Sequence, residues 1–340
     1  MSRVSFNLSI ASFFQSFNLS ILQFFNLSLF HSFNLSIVLV PLGGLCNRLR
    51  AIQSAIALAQ DMQAPLRIVW LRDSGLNARF TDLFEPLTSQ VLPAGRRIPL
   101  SLSDSSDVFR YAVPTRYNLR LPLLWQRLAF DVRLSEAYLC QLLKHPSYKE
   151  HPLETLRPRL RGKVLIHTGL GFYPSDDTLL PHLFVPSDDV QTLLASRLPL
   201  LTPHTVGLHI RRTDNQMSVL HSPLTAFESA MAADIARDPE TVFYLATDDA
   251  SVADALAANH PGRILTAPYQ TAVGETSTSK TSSRGFYAGR ADVRGMQEAV
   301  AELFTLMACP RFHGSYWSSF SDAVVGCHPA GTADIVSTLP

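Results

Sequence analysis

The sequence is poor in net charge and in charged residues generally. Its 340 residues carry 29 Lys and Arg against 28 Asp and Glu, and charged residues make up only 17% of the chain. This balance gives no overall field that would attract nucleic acid, so we expect no nucleic-acid partner and expect any anion to be bound by a local cluster. The hydrophobic share of 46% is enough for a packed core, and the length favours two domains.

Cysteine is also scarce, and the chain contains no Cys-x-x-Cys pair. The four cysteines lie far apart, at Cys46, Cys140, Cys309 and Cys327. This spacing argues against a disulfide framework and against a zinc site. It favours buried thiols in a reducing compartment.

Residues 4 to 40 contain no Lys, Arg, Asp or Glu, yet they lack the pattern of a membrane span. The motif Phe-Asn-Leu-Ser begins at Phe6, Phe17, Phe25 and Phe33, and its Asn and Ser interrupt every apolar run. No unbroken stretch approaches the roughly 20 residues that a transmembrane helix requires. We interpret residues 1–36 as a low-complexity extension outside the fold, with an anchor at the membrane surface as the alternative. The expected location is the cytoplasm, or the inner face of the membrane if the extension is an anchor.

The globular part begins near Ile37 with alternating strands and helices. A strand at 37–40, a helix at 48–62 and a strand at 66–71 are typical of a parallel βαβ unit. Residues 90 to 160 show little pattern beyond a helix predicted around 123–143. A strand at 163–167 and a helix from Ser187 to about residue 196 complete this half.

The second half repeats the alternation more clearly. The pattern predicts strands at 204–210, 242–246, 264–265 and 311–313, and helices at 223–235, 250–258 and 295–308. Residues 266 to 290 are rich in Thr, Ser and Gly, and a loop of this length is often functional, for example as a lid. The expected architecture is therefore two α/β domains, 37–200 and 201–340.

Each main strand of the second half ends in a polar cluster. The clusters are His-Ile-Arg-Arg-Thr-Asp from His209 to Asp214, Thr-Asp-Asp from Thr247 to Asp249, and Gly-Ser-Tyr-Trp-Ser-Ser from Gly314 to Ser319. Because ligands of open α/β sheets bind at the carboxyl ends of the strands, we expect the three clusters to converge on one edge. Guanidinium groups and helix N-termini both bind phosphate, so the combination predicts a phosphorylated ligand.

Taken singly, each cluster also has a purely structural interpretation. Arg211 and Arg212 would be ordinary in a solvated loop, and His209 would be ordinary as a satisfied strand histidine. Asp248 and Asp249 precede a helix, where N-capping explains such residues. The functional interpretation rests on the coincidence of the three clusters at one sheet edge.

A glycine-rich loop follows the first strand of the first half. Gly43 and Gly44 stand between a strand and a helix, and Asn47 and Arg48 follow them. Paired glycines allow close approach of the backbone to a ligand, and the two polar side chains add reach. A tight turn that requires a positive φ explains the glycines equally well.

These motifs resemble a known family. The segments 209–214, 244–249 and 314–321 are similar to the three ordered motifs of the α1,2-, α1,6- and protein O-fucosyltransferase superfamily, and 43–48 is similar to its N-terminal glycine-rich loop. The resemblance covers roughly residues 37 to 321, with the middle of the first half unmatched. It implies a GT-B fold, in which two Rossmann-like domains face a cleft: an acceptor-side domain at 37–200 and a donor-binding domain at 201–340.

The resemblance also implies roles for individual residues. Arg211 would contact the donor diphosphate, His209 the nucleotide, and Ser318 or Ser319 the phosphate, with Ser315 in the same motif. An acidic residue on the helix before that motif would recognise guanine, for which Glu302 is the nearest candidate and Glu298 the alternative. Cys46 stands where relatives commonly have glycine, which puts close backbone approach at that point in doubt.

The activity implied by the resemblance is inverting transfer of fucose from GDP-fucose to a glycan hydroxyl. The acceptor would be a glycan or a lipid-linked oligosaccharide in polysaccharide biosynthesis, and association with a membrane would be peripheral. Arg211 and Arg212 would stabilise the departing diphosphate, so we expect no metal and no cofactor besides the donor. Asp214 is the candidate general base, or it orients the arginines. The rivals are a transferase for another nucleotide sugar with a metal at Asp248 and Asp249, a phosphatase, and a non-catalytic glycan-binding protein.

Overall fold

The structure is a computed structural model that describes residues 35–92, 94–106, 120–212, 215–267 and 292–339. Two of the features singled out above, Asp214 and almost all of the 266–290 loop, lie outside the described residues, and so does all of the N-terminal repeat up to residue 34.

Two five-stranded parallel sheets organise the described residues. The first sheet has the strand order β3-β2-β1-β5-β4, and the second has the order β10-β9-β6-β7-β8. The strands are β1 (Ser36–Pro41), β2 (Leu66–Leu71), β3 (Leu100–Ser105), β4 (Val132–Ser135), β5 (Lys163–Thr168), β6 (Thr205–Ile210), β7 (Val242–Thr247), β8 (Ile264–Leu265), β9 (Arg311–Ser315) and β10 (Ala333–Val336).

Helices connect the strands of both sheets. They are α1 (Leu45–Asp61), α2 (Phe80–Leu83), α3 (Arg120–Ala129), α4 (Glu136–Leu143), α5 (Pro146–Glu150), α6 (Pro152–Leu156), α7 (Leu180–Leu183), α8 (Asp188–Arg197), α9 (Gln216–His221), α10 (Leu224–Arg237), α11 (Ala250–Asn259), α12 (Val293–Ala308) and α13 (Ser319–Cys327). In the part of the chain that the structure describes, none of these helices combines the length and apolar character needed to cross a bilayer.

The central strand of each sheet is buried along nearly its whole length. β1 pairs with β2 and β5, and β6 pairs with β7 and β9, all in parallel. A parallel strand with both faces covered is rich in apolar side chains. Residues 37–40 are apolar throughout, whereas residues 205–210 also include the buried polar side chains of Thr205 and His209. The strands and helices predicted around these two segments are confirmed to within a few residues.

The prediction was wrong in the unpatterned stretch and missed several short elements elsewhere. The single helix expected over 123–143 is two helices, α3 and α4, with the edge strand β4 between them. Strands β3 and β10 and the short helices α2, α5, α6, α7 and α9 were not predicted. Helix α10 begins at Leu224 with Pro223 as its N-cap residue, and the hydroxyl of the preceding Ser222 donates to the carbonyl of Val336 at 2.6 Å.

One apolar core extends through both halves of the chain. It includes Leu39 in β1 and Leu49 in α1, and also Tyr244 in β7 and Leu303 in α12. Helix α8, which precedes the second sheet, packs against α12, and the buried guanidinium of Arg197 at the end of α8 forms an ion pair with a glutamate of α12. The two sheets are therefore joined by a shared interior.

Candidate functional site

A cavity of about 640 Å³ lies where the two halves face each other. Its floor is the carboxyl ends of β6 and β7, and its walls come from the first turns of α11 and α13, from α12 and from the beginning of α1. Strands β9, β6 and β7 are adjacent and parallel, so the three polar clusters of the second half do meet at one sheet edge.

His209 lies at the base of this cavity, near the end of β6. Its ring stacks on Phe320 with 4.7 Å between the centroids, and its Nδ1 lies 2.7 Å from the hydroxyl of Ser321. Burial, reinforced by the nearby charge of Arg211, lowers the pKa of His209 to about 3. The imidazole is therefore neutral at physiological pH, and it offers a hydrogen bond without a charge.

Arg211 is the arginine on the cavity wall. Its backbone is fixed by Ser315, whose hydroxyl accepts from the Arg211 amide at 3.0 Å and donates to the carbonyl of His209 at 3.0 Å. Ser315 itself is fully buried and does not line the cavity. Its position indicates that it holds β9 against β6 and so places Arg211, a role different from the ligand contact expected of it.

Arg212 and the two aspartates after β7 are arranged differently from the prediction. The carboxylate of Asp248, which lines the cavity, accepts from the backbone amide of Arg212 at 2.7 Å. The Arg212 side chain is half-buried and does not line the cavity; its pKa is lowered by burial, against the opposing effect of Asp248 and Asp249. Asp249 is the N-cap of α11 and accepts from the amide of Ser251 at 2.9 Å. It serves as a helix cap and not as part of the cavity wall.

The glycine-rich loop brings the first half to the cavity. Gly43 has a φ of 81°, as the tight-turn interpretation requires, and a Cβ there would lie 2.9 Å from the side-chain amide nitrogen of Asn47. Gly44 is the N-cap of α1, and Gly44, Cys46 and Asn47 line the cavity. Since Gly44 has no side chain to cap the helix, the first-turn N–H groups of α1 face the cavity without a capping side chain.

Arg48 does not reach the cavity, contrary to the prediction. Its guanidinium is fully buried, donates to the carbonyl of Gly43 at 2.8 Å and to the carbonyl of Leu71, and forms an ion pair with Asp73 at 2.8 Å. It also lies over the ring of Trp70, 5.1 Å from the centroid. Arg48 therefore fixes the glycine loop to β2 from behind and is not placed to contact a ligand.

The two serines at the start of α13 also separate into two roles. Ser318 is fully buried and caps α13, its hydroxyl accepting from the amide of Ser321 at 3.5 Å. Ser319 lines the cavity. Of the two serines, Ser319 is therefore the one that is placed to contact a phosphate.

Both acidic candidates on α12 line the cavity, one turn apart. Glu298 is bound by two arginines: the buried Arg197 and, at 2.9 Å, Arg294. Glu302, half-buried, lies close enough to Tyr244 for its charge to contribute to the raised pKa of that phenol. The ion pair with Arg197 holds α12 to α8, whereas the pair with Arg294 lies within α12. Glu298 thus has a structural role, and Glu302 stays the candidate for guanine that the motifs predict.

Several cavity residues were not proposed as ligand contacts from the sequence. They include Cys46, Thr247, Asp254, Met296 and Phe320. Phe320 lies within the motif 314–321 and Thr247 within the motif 244–249, so the motifs themselves could have indicated these two residues. Asp254 and Met296 carry no local signal, because only the packing of α11 and α12 turns them towards the cavity. Burial raises the pKa of the Cys46 thiol to about 12, so this thiol is unreactive.

The two aspartates of the metal-binding alternative both accept backbone hydrogen bonds. Asp249 is engaged as a helix cap, and Asp248 accepts from the amide of Arg212. Among residues 35–339 as far as they are described, no group of three or more His, Cys, Asp and Glu side chains is arranged to hold a metal ion. All four cysteines are free thiols, two of them buried.

No protein-family model matches the sequence, and no curated protein matches it. Solved structures do match the fold. The NodZ α-1,6-fucosyltransferase soaked with GDP-fucose is 16% identical, with a TM-score of 0.56 over 87% of this chain and 93% of that chain.

Two further structures agree. Fucosyltransferase NodZ from Bradyrhizobium is 15% identical, with a TM-score of 0.54 over 87% of this chain and 94% of that chain. A variant of Arabidopsis thaliana FUT1 in complex with GDP is 13% identical, with a TM-score of 0.51 over 88% of this chain and 72% of that chain. The fold of this chain is therefore the two-sheet GT-B fold of these fucosyltransferase structures, as the motifs predicted.

Proposed function

We propose that this protein transfers fucose from GDP-fucose to a glycan hydroxyl. The observation that carries the proposal is the convergence of Arg211, His209 and Ser319 with the uncapped end of α1 on one cavity between the two sheets. Cationic and N–H donors that face each other across a cavity suit a diphosphate. One structure with this fold was soaked with GDP-fucose and another is a complex with GDP, which supports the choice of nucleotide.

In this proposal the donor lies across the carboxyl edge of the second sheet. Glu302 accepts hydrogen bonds from the guanine, which presents N–H donors to a carboxylate. Arg211 and Ser319 bind the diphosphate, and the first-turn N–H groups of α1 approach it from the first half. Neutral His209 donates or accepts one hydrogen bond on the nucleotide side without adding charge.

The proposed reaction is a displacement at C1 of fucose with inversion. The acceptor hydroxyl oxygen forms the new bond to C1 as the bond from C1 to the diphosphate oxygen breaks, and GDP leaves with the electron pair. Arg211 stabilises the charge that develops on the diphosphate. The hydroxyl proton passes to a general base, for which Asp214 remains our candidate, with orientation of the arginines as its alternative role.

We propose that Arg211 and the first-turn N–H groups of α1, without a metal ion, stabilise the leaving group. The expected result is that activity persists in excess EDTA. Loss of activity in EDTA that manganese restores would replace this proposal with a metal-assisted transfer.

The direct test is calorimetry of the full-length protein with GDP, GDP-fucose, GDP-mannose and UDP-glucose. We expect GDP and GDP-fucose to bind, and UDP-glucose to bind at least about tenfold more weakly, because a uracil does not offer the donor pattern that Glu302 would accept. The Glu302→Gln variant should lose most of this discrimination, whereas Arg67→Ala, an exposed substitution on β2, should not change it. Absence of GDP binding, or equal affinity for all four nucleotides, would refute the proposed donor site.

A further inference from the structure

Trp317 is in an unusual conformation for a bulky residue. Its φ is 56°, in the left-handed region that favours glycine, and its side chain is 65% exposed. A large exposed aromatic side chain in that region is energetically unfavourable, both for its backbone and for its hydration. Such outliers persist only where the surrounding structure imposes them, and they cluster at ligand-binding sites.

The neighbours of Trp317 impose this conformation. The side-chain amide of Asn215 donates to the carbonyl of Trp317 at 2.7 Å. On the preceding residue, the amide of Tyr316 donates to the hydroxyl of Ser222 at 2.8 Å, and the ring of Tyr316 meets that of His221 edge-on, with 5.5 Å between centroids. Helix α9 and the loop after β9 are thus fastened together, and the indole is held outwards.

The position of Trp317 relates it to the cavity. It stands two residues before Ser319, which lines the cavity, so their Cα atoms lie within about 7 Å of each other. The cavity residue Ser319 begins α13, and Trp317 precedes it in the loop after β9, the strand between β6 and β10. Trp317 is therefore next to the proposed diphosphate site.

We propose that Trp317 is the platform on which a pyranose ring of a neutral glycan acceptor stacks. This inference rests on the proposed function and specifies the acceptor side of the same site. The apolar face of a sugar ring covers an exposed indole, and a rigid aromatic side chain loses little conformational entropy on binding. Met217, Val219 and Leu220 on α9, the helix that Asn215 caps, are also exposed, and we call these residues and Trp317 the rim.

The charge of the rim favours a neutral glycan over an anionic membrane surface. Residues 215–222 and 316–339 contain no Lys or Arg, and their two acids are paired, Asp322 with Arg50 at 3.9 Å and Asp334 with His313. Binding to anionic lipid requires a basic face next to the apolar one, and this rim lacks it.

The test is binding of the full-length protein, saturated with GDP, to an array of defined neutral oligosaccharides, followed by titration of the best one. We expect Trp317→Ala to weaken that binding roughly tenfold and Trp317→Phe to weaken it less than about threefold, because the phenyl ring retains a stacking face. Leu128→Ala, which removes an exposed leucine from α3, is the control and should have no effect.

The Trp317→Gly variant separates binding from folding. Glycine adopts a φ of 56° without strain, so this variant should keep the melting temperature of the wild type while losing glycan binding as Trp317→Ala does. GDP affinity should remain unchanged in all Trp317 variants. Three results would each overturn the inference. The first is glycan binding that survives in Trp317→Gly, and the second is the absence of binding to any oligosaccharide of the array. The third is binding to phosphatidylglycerol vesicles that depends on Trp317. If Trp317 has no effect while the wild type binds GDP, the proposed function stands without it.

Discussion

The two halves of the molecule have similar parallel sheets but use the arginines after their central strands in opposite ways. Arg48 follows β1, and its guanidinium is buried in hydrogen bonds to Gly43 and Leu71 and an ion pair with Asp73. Arg211 follows β6, and its side chain stands on the cavity wall. The arginine of the first half thus holds a loop, whereas the arginine of the second half faces the cavity.

The net charge of the second half is unfavourable for the anionic ligand that is proposed to bind there. Residues 37–200 contain 19 Lys and Arg against 14 Asp and Glu, whereas residues 201–340 contain nine against 14. The half that supplies the proposed diphosphate contacts is therefore the acidic one. Binding of an anion there depends on the placement of a few groups at short range. We therefore expect salt to weaken it less than it would weaken the binding of an anion to a diffuse basic surface.

The largest expected effect is on turnover, from Arg211→Ala. Loss of a charge-stabilising donor typically lowers kcat by about 10²- to 10³-fold, and we expect this range for fucose transfer. Folding should be nearly unaffected, as judged by thermal melting. The control is Arg67→Ala, which should leave turnover unchanged. Turnover close to wild type in Arg211→Ala would contradict the distinction drawn between Arg48 and Arg211.

The opposite result is expected for Arg48→Ala. Removing the buried guanidinium takes the cationic partner from Asp73, which keeps the amides of Gly75 and Leu76, and a donor from two carbonyls. We expect the free energy of unfolding to fall by about 3 kcal/mol. Denaturant titration measures this change. GDP affinity in the fraction that remains folded should decrease only slightly, and a selective loss of GDP affinity with normal stability would show that Arg48 acts on the ligand after all.

A pH-dependent contribution to stability is expected in the second half. Burial favours neutral His313, but hydrogen bonds to Asp234 and Asp334 prevail and raise the pKa of His313 from 6.5 to about 9. Because the folded-state pKa is the higher one, this contribution is complete below pH 6.5 and is lost as pH rises through about 9. It amounts to at most about 3 kcal/mol.

The variant His313→Gln should abolish that pH dependence. The measurement is the free energy of unfolding at about pH 6 and about pH 9.5, for which the wild type should differ and the variant should differ much less. In the first half, burial lowers the pKa of His167 to about 4, so its contribution changes in the opposite direction and is lost as pH falls below 6.5. An equal pH response in wild type and variant would contradict the assignment to His313.

The smallest expected effect is that of Asp249→Ala. Loss of the N-cap of α11 should lower the free energy of unfolding by about 1 kcal/mol and leave turnover within a few fold of wild type. Asp249→Asn, which retains a capping side chain, should restore most of the stability. A drop in turnover of about a hundredfold or more would favour the metal-assisted alternative.

The sequence was sufficient for the fold wherever the periodicity was strong. The buried run of β1, the strand Leu66–Leu71 and the helix α12 carry enough apolar pattern to be assigned without tertiary information. β3 and β4 are edge strands, and β3 is only partly buried, so their sequences lack a continuous apolar run. The break between α3 and β4 lies at Phe130 and Asp131, where no Gly or Pro marks it.

The site was predicted as a set of motifs but not as a set of side-chain directions. The convergence of three clusters follows from strand order and parallel pairing, which the alternation of strands and helices indicates. Two of the choices were between neighbours: Ser318 or Ser319, and Asp248 or Asp249. Which of them faces the cavity, and whether Arg48 does, depends on which hydrogen bonds the backbone leaves unsatisfied. The N-cap roles of Ser318 and Asp249 and the burial of Arg48 are such cases, and they are decided by packing that a single sequence does not show.

The apolar core that runs through both sheets has a consequence for how this chain can be divided. A cut near residue 200 would expose side chains of α8 and α12 that now cover each other, and it would leave Arg197 and Glu298 on different fragments. We therefore expect neither fragment to be stable by itself, and a transfer of the second sheet to another chain of this fold would have to include α8.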